Sequence, residues 1–270
     1  MNCVKISVIL PSLNEVECIE GTLQSIARQS MDRRDYEIIV VDGGSTDGTV
    51  EKAGQWADLV VSQRHQGIGG ARRDGADVAS GEMLAFTDAD TSVCPRWLEA
   101  IEKNLGKYDA STGPVVYADP SIRSELLSRW RDLYRLLSAL NFYYMLGSNM
   151  AVRSDVYRSI GGHSEISLLD DYDLSVKLRQ ARASCCYDEK QAVMTSSRRA
   201  GRMLAYTLTV AYGHYHYRIT SDHQKLLEYP RPEEMTVGRL IDQKGKSKEL
   251  IEGLESLRDS VSSTLRKMVH

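Results

Sequence analysis

No Cys-x-x-C pair occurs in this 270-residue chain, and its five cysteines, Cys3, Cys18, Cys94, Cys185 and Cys186, are odd in number. Neither a zinc ribbon nor a secreted disulfide framework fits that spacing, so the expectation is five bland, buried thiols in a reducing cytosol. An excess of positive charge is also missing: 34 Lys and Arg stand against 37 Asp and Glu, a net charge of -3. Nucleic-acid binding through bulk charge is thereby disfavoured. Long apolar runs are absent too. The nearest candidate, Leu133 to Val152, is broken by Arg135, Asn141 and Asn149, and a spanning helix needs roughly 20 apolar residues. Only Lys5 is basic before the short run Ile6–Leu10, which soon meets Pro11, so no signal peptide is expected. These absences point to a cytoplasmic protein, with peripheral contact at the inner face of the membrane left open.

What the sequence does have is alternation. Short apolar runs at Ile6–Leu10, Glu37–Val41, Leu59–Ser62 and Met83–Thr87 predict strands buried on both faces. Between them, Glu15–Gln29, Thr49–Trp56 and Gly70–Ala79 carry apolar residues at helical spacing. Strand followed by helix, repeated, predicts an α/β fold with a doubly wound, mostly parallel, Rossmann-like sheet. Ligands of such sheets bind outside the carboxyl ends of the strands. Here those ends read Pro11-Ser12-Leu13-Asn14-Glu15, Asp42-Gly43-Gly44-Ser45-Thr46-Asp47-Gly48 and Asp88-Ala89-Asp90. Each is polar or acidic, and chemistry is expected where they converge.

The second half reads differently. Ser121–Leu140 predicts a long helix with Arg123, Arg129, Arg131 and Arg135 interleaved with its apolar stripe, and a further helix starts near Asp170. An extended segment, Ala183–Thr195, follows. A helical, tyrosine-rich stretch begins near Gly201, and Gly245–His270 is amphipathic. The expected division is a catalytic domain over 1–200 and a helical C-terminal extension over 201–270 that docks or dimerises. The basic helix and the tyrosines suit a membrane surface or a phosphate-bearing lipid.

Asp88 and Asp90 flank a small residue, and alternation at a strand end would put both carboxylates on one side. Such hard oxygen ligands suit Mg²⁺ or Mn²⁺ bridging to phosphate. Asp42 directly ends a buried strand, a costly place for a carboxylate unless something pairs with it; a base or ribose donor group would serve. Asp170, Asp171 and Asp173 suit a helix N-terminus, whose dipole favours acid. Arg198 and Arg199 lie in a loop, where they are either solvated or able to reach a leaving diphosphate. A nicotinamide oxidoreductase would want G-x-G-x-x-G after the first strand; Gly67-Ile68-Gly69-Gly70 follows the third instead. A non-catalytic nucleotide-sugar-binding module and a sugar nucleotidyltransferase are the remaining alternatives, the second lacking its glycine- and basic-rich stretch.

Pro-Ser-Leu-Asn-Glu from Pro11, Val-Val-Asp-Gly-Gly-Ser-Thr-Asp-Gly-Thr from Val40, Gly-Ala-Arg-Arg-Asp-Gly from Gly70 and Phe-Thr-Asp-Ala-Asp from Phe86 occur in this order. Gly147-Ser148-Asn149, Gly161-Gly162 and Asp170-Asp171-Tyr172-Asp173-Leu174 follow. Jointly, over about residues 4–200, this pattern resembles the inverting family 2 glycosyltransferases of GT-A fold. The resemblance implies a UDP- or GDP-sugar donor, an acceptor hydroxyl or lipid phosphate, and Mg²⁺ or Mn²⁺. It further implies that Pro11, Leu13 and Glu15 line the nucleotide pocket, Asp42 meets the base and Arg72 lies close to the nucleotide. Asp88 would contact ribose or sugar, Asp90 would bind the metal with Asp88 beside it, and Asp171 would be the general base. Asp170, standing where the family has Glu, and Asp173 remain alternatives. Some relatives place a metal-binding His near 195–201; this chain has none there.

Overall fold

Aliphatic residues at every position of Ile6, Val8, Ile9 and Leu10 leave no polar face for water, and all four are fully buried. They belong to β1 (Ile6–Ser12), an interior strand of a seven-stranded sheet in a computed structural model that describes residues 4–118, 143–196, 209, 212–214, 216–220 and 224–227. The other strands are β2 (Tyr36–Asp42), β3 (Leu59–Ser62), β4 (Met83–Phe86), β6 (Ala110–Thr112), β8 (Met150–Arg153) and β9 (Cys185–Tyr187), in the order β3-β2-β1-β4-β8-β6-β9. Only β8 runs against its neighbours.

Side-chain parity builds the two cores. Ile6, Val8, Leu10, Ile38 and Val40 pack with helices α1 (Ile19–Ala27), α2 (Thr49–Ala53) and α4 (Trp97–Leu105). Ile9, Ile39, Val41, Leu84 and Phe86 pack with α3 (Gly67–Val78), α5 (Ser154–Ser159) and α6 (Asp170–Gln180). Helices thus cover both faces, as the strand–helix alternation predicts.

β3 is an exception to the predicted burial. It is the sheet's edge, its residues are half-buried or exposed, and Leu59 is 39% exposed. A second sheet also went unpredicted: β5 (Thr91–Val93), β10 (Val193–Thr195) and β7 (Val115–Tyr117) pair in the order β5-β10-β7. The extended segment Ala183–Thr195 therefore divides between two sheets. Cys18, Cys94, Cys185 and Cys186 form no disulfide, and these residues are half-buried rather than buried. Burial pushes Cys185 up to about 12 and Cys186 up to about 11, so neither is a thiolate.

The chain divides into two compact units, 1–201 and 202–270. In the second, the described residues include a π-helical turn, His216–Thr220, and a short helix, α7 (Gln224–Leu227), with the Tyr212 and His216 rings 4.3 Å apart. The basic helix expected at 121–140, Arg198, Arg199 and the amphipathic 245–270 lie outside the described residues. No helix among the described residues is long and apolar enough to cross a membrane.

Candidate functional site

Reversal of β8 explains how distant motifs meet. Phe86 at the end of β4 pairs with Met150 at the start of β8. The residues after β4 and those before β8 therefore arrive at one edge, where the Thr87 hydroxyl donates to the Ser148 carbonyl at 2.9 Å. α6 begins at the same edge with Asp170.

Arg72 of α3 joins these parts. Its side chain is 3% exposed, and a bare buried guanidinium would be prohibitive without partners. Nη1 donates to Asp170 Oδ2 and Nη2 donates to Asp88 Oδ1 at 2.7 Å. The two carboxylates raise the Arg72 pKa further, against its burial, and it stays charged. Gly147 leaves room for this arrangement, since a Cβ there would stand 2.6 Å from Nη2.

Asp170 and Asp171, left open by the sequence, part company here. Asp170 is 5% exposed and engaged by Arg72. Asp171 is half-buried; it accepts from the Gly147 N–H at 3.2 Å, the Tyr144 hydroxyl at 3.3 Å and the Tyr172 N–H at 2.7 Å. Burial pushes both carboxyls above the ordinary carboxylate range, and Arg72 pulls both partly back. Asp173 is spent on structure: it accepts from the Ser164 hydroxyl at 2.7 Å and pairs with Lys177 at 3.0 Å.

The loops after β1 and β2 clasp each other. Asn14, at φ 53°, donates its N–H to Ser45 Oγ and accepts from the Thr46 N–H, both at 2.9 Å. The Glu15 N–H donates to Thr49 Oγ1 at 2.8 Å, and the Val16 N–H donates to Asp47 Oδ2 at 3.1 Å. Pro11 and Glu15 are half-buried, while Leu13 is 56% exposed. An apolar side chain held out on a braced loop can take a flat ligand. Asp42 Oδ2 accepts from the Gly44 and Ser45 N–H groups at 2.9 and 3.0 Å, whereas Oδ1 is buried without a partner.

Asp88-Ala89-Asp90 lies past β4, in the turn to β5, so the alternation argument does not apply. Asp88 engages Arg72 instead. Asp90 lines a cavity of about 390 Å³ with Cys18, Thr22, Ser92, Met194 and Ser196. The turn is fixed by Thr22, whose hydroxyl donates to the Ala89 carbonyl at 2.8 Å, and by the Ser196 N–H, which donates to the Asp90 carbonyl at 3.1 Å. Among the described residues, the one group of three side chains close enough to share a metal is His65, Asp74 and Asp77. Asp74 there already accepts from the Arg64 and His65 N–H groups and contacts both side chains, so it is spoken for.

Seven buried side-chain polar atoms among the described residues lack a partner, and four are around this edge: Ser12 Oγ, Asp42 Oδ1, Arg72 Nε and His163 Nε2. Orphaned polar atoms are uncommon in native interiors, and each of these calls for an explanation. Sequence reasoning missed Tyr144 and His163. It quoted Gly147 only as part of a motif, because a glycine's reason lies in the residue it makes room for.

Comparison with known proteins bears on family and fold. Residues 7–161 match the family model described as Glycosyl transferase family 2. Glycosyltransferase AglE of Haloferax volcanii is 39% identical over 166 residues, which are 58% of this chain and 55% of that protein. A PGL/p-HBAD biosynthesis glycosyltransferase of Mycobacterium bovis is 31% identical over 182 residues, 63% of this chain and 68% of the relative. The chain thus spans little more than half the length of the first relative. Among solved structures, the mannosyltransferase PcManGT of Pyrobaculum calidifontis, in complex with GDP-Man and Mn²⁺, superposes with a TM-score of 0.63 at 22% identity. That match covers 85% of this chain and 67% of the other. S. aureus TarS 1-349 in complex with UDP-GlcNAc gives 0.58 at 18% identity, covering 80% and 74%. Both likenesses bear on the fold, which is that of the GT-A glycosyltransferases.

Proposed function

The chain belongs to glycosyl transferase family 2, and from that premise we propose that it transfers a sugar from a UDP- or GDP-sugar to an acceptor hydroxyl or lipid phosphate, with inversion. The observation that carries the proposal is the pairing of buried Arg72 and Asp170 and half-buried Asp88 with a reachable, oriented Asp171 at the carboxyl edge of the sheet.

In this reading the Leu13 and Glu15 loop and Asp42 hold the nucleoside. Asp42 Oδ1, orphaned in the free protein, accepts an N–H of the base. Arg72 and Asp88 lie beside the diphosphate and sugar, and Arg198 and Arg199 add charge there. Asp171 accepts the proton of the acceptor hydroxyl while that oxygen attacks the anomeric carbon. The new C–O bond forms as the bond to the diphosphate breaks on the opposite face, and the nucleoside diphosphate departs with the electron pair. A raised pKa makes Asp171 a better base than a surface aspartate. Gly147 and Tyr144 fix its orientation, and the sheet contributes positioning.

The donor set suits Mg²⁺ or Mn²⁺. Asp90 offers hard oxygens beside an open cavity, and these ions keep waters and take phosphate oxygens, so they need only one or two protein carboxylates. Asp90, with Asp88 if it is released from Arg72, would hold the ion, which supplies charge neutralisation for the leaving diphosphate.

The test is a pair of variants. Asp171→Asn should bind nucleoside diphosphate normally and lose transfer by roughly 10² or more. Normal transfer by Asp171→Asn, with Asp170→Asn inactive, would move the base to Asp170. Activity in both would remove the carboxylate from the mechanism.

A further inference from the structure

His163 follows Gly161-Gly162 and is fully buried. Its ring is held by Phe86 and Tyr157. The edge-on Phe86 ring is 5.0 Å away, and the Tyr157 hydroxyl lies 2.8 Å from Nδ1. The same hydroxyl oxygen accepts the His163 backbone N–H at 3.1 Å. Gly162, at φ 60°, allows this closure, because a Cβ there would stand 2.7 Å from the Tyr157 ring. The Tyr157 hydroxyl, whose oxygen accepts from the backbone, is assigned as the donor to Nδ1. That assignment leaves the ring proton on Nε2. Burial and the charges of Arg72 and Lys177 hold the imidazole well below its usual range, so the ring is neutral.

Nε2 has no hydrogen-bond partner, and it lies 4.0 Å from Asp170 Oδ2, the oxygen that Arg72 Nη1 holds. One carboxylate oxygen is thus flanked by two donors, one in contact and one about 1 Å beyond hydrogen-bond reach. A buried carboxylate that gives up its cation needs a replacement donor or a proton. We propose that His163 is a positioning residue whose Nε2–H takes over Asp170 when Arg72 turns from it toward the diphosphate of the donor substrate. The proposal rests on the glycosyl-transfer reading. It accounts for two observations together: a buried imidazole nitrogen with no partner, and an arginine tied to two carboxylates.

Two variants separate the proton donor from the packing. His163→Phe keeps an aromatic ring against Phe86 and Tyr157 but removes the N–H. His163→Gln restores an N–H near the position of Nε2. With near-ultraviolet circular dichroism confirming the fold, His163→Phe should lower kcat/KM for the sugar donor by roughly 10- to 100-fold, the range for misplacing a catalytic array. Most of the loss should fall on KM, because an Arg72 still bound to Asp170 is less available to the diphosphate. His163→Gln should recover most of it. In ¹⁵N-histidine spectra of the free wild-type protein, His163 should be neutral with its proton on Nε2, and UDP or GDP with Mn²⁺ should move that N–H resonance downfield. A proton on Nδ1, a resonance unmoved by a nucleoside diphosphate that binds, or equal impairment of the Phe and Gln variants would overturn the proposal. If neither nucleoside diphosphate binds to the wild type, the glycosyl-transfer reading itself falls, and this proposal falls with it.

Discussion

Gly147 shows how much one absent methyl group controls. The Arg72 guanidinium is held by Asp88 on one side and Asp170 on the other, so a new Cβ would disturb both pairs. Gly147→Ala should therefore displace either the guanidinium or the Gly147 N–H that Asp171 accepts. We expect a loss of kcat of at least about tenfold, measured with circular dichroism as a check on folding; wild-type kcat would show that the loop adjusts freely. Tyr144 makes a second prediction at this scale. Its hydroxyl donates to Asp171 and lowers the pKa that burial raises. Removing it leaves burial less opposed, so Tyr144→Phe should move the acid limb of kcat/KM to higher pH. A limb that stays put or moves down would show that Asp171 does not set it. The motif containing Gly147 was visible in the sequence, and so were Asp170 and Asp171. Which of the two carboxylates faces a ligand was not visible, because that depends on Arg72, 98 residues away.

At the scale of elements, the glycine run opening α3 has a different use from the phosphate cradle its spacing brings to mind. A Cβ on Gly67 would stand 2.6 Å from the Ile166 carbonyl carbon, and one on Gly69 would overlap the Ser164 carbonyl oxygen. The run lets the helix start lie against the backbone that leads into Asp170. Gly69→Ala should cost about 1–3 kcal/mol, the usual range for overpacking, measured by urea denaturation. It should also reduce activity, since the displaced segment carries Asp170; an unchanged midpoint would mean that the backbone yields at no cost. β1 to β4 were legible from their apolar runs, and β9 and β10 fall within the extended segment Ala183–Thr195. β5, β6, β7 and β8 were not, because strands of three or four residues carry too little periodicity and their pairing joins segments far apart in sequence. Apolar content alone also cannot distinguish an edge strand from a central one, which is why β3 was expected to be buried.

For the whole molecule, one sheet edge collects the carboxyl ends of β1, β2 and β4, the start of β8 and the first turn of α6. The strand–helix order made that edge legible, because the crossover rule for parallel strands sets which ends coincide. Asp90 is the part of the edge on which metal dependence turns. Asp90→Ala should stay folded, since the side chain lines a cavity, and should lose Mn²⁺-dependent affinity for UDP or GDP in calorimetry. Unchanged affinity would move the metal elsewhere. The central claim is that this edge cleaves a nucleotide sugar. Its most direct measurement is nucleoside diphosphate release from a panel of UDP- and GDP-sugars with Mn²⁺, comparing wild type, wild type with EDTA, and Asp90→Ala. The account predicts release by metal-loaded wild type for at least one donor, and a fall of roughly 10² or more in both controls. Release that survives both EDTA and the substitution would contradict the metal-dependent mechanism, and no release from any donor would contradict the glycosyl-transfer reading.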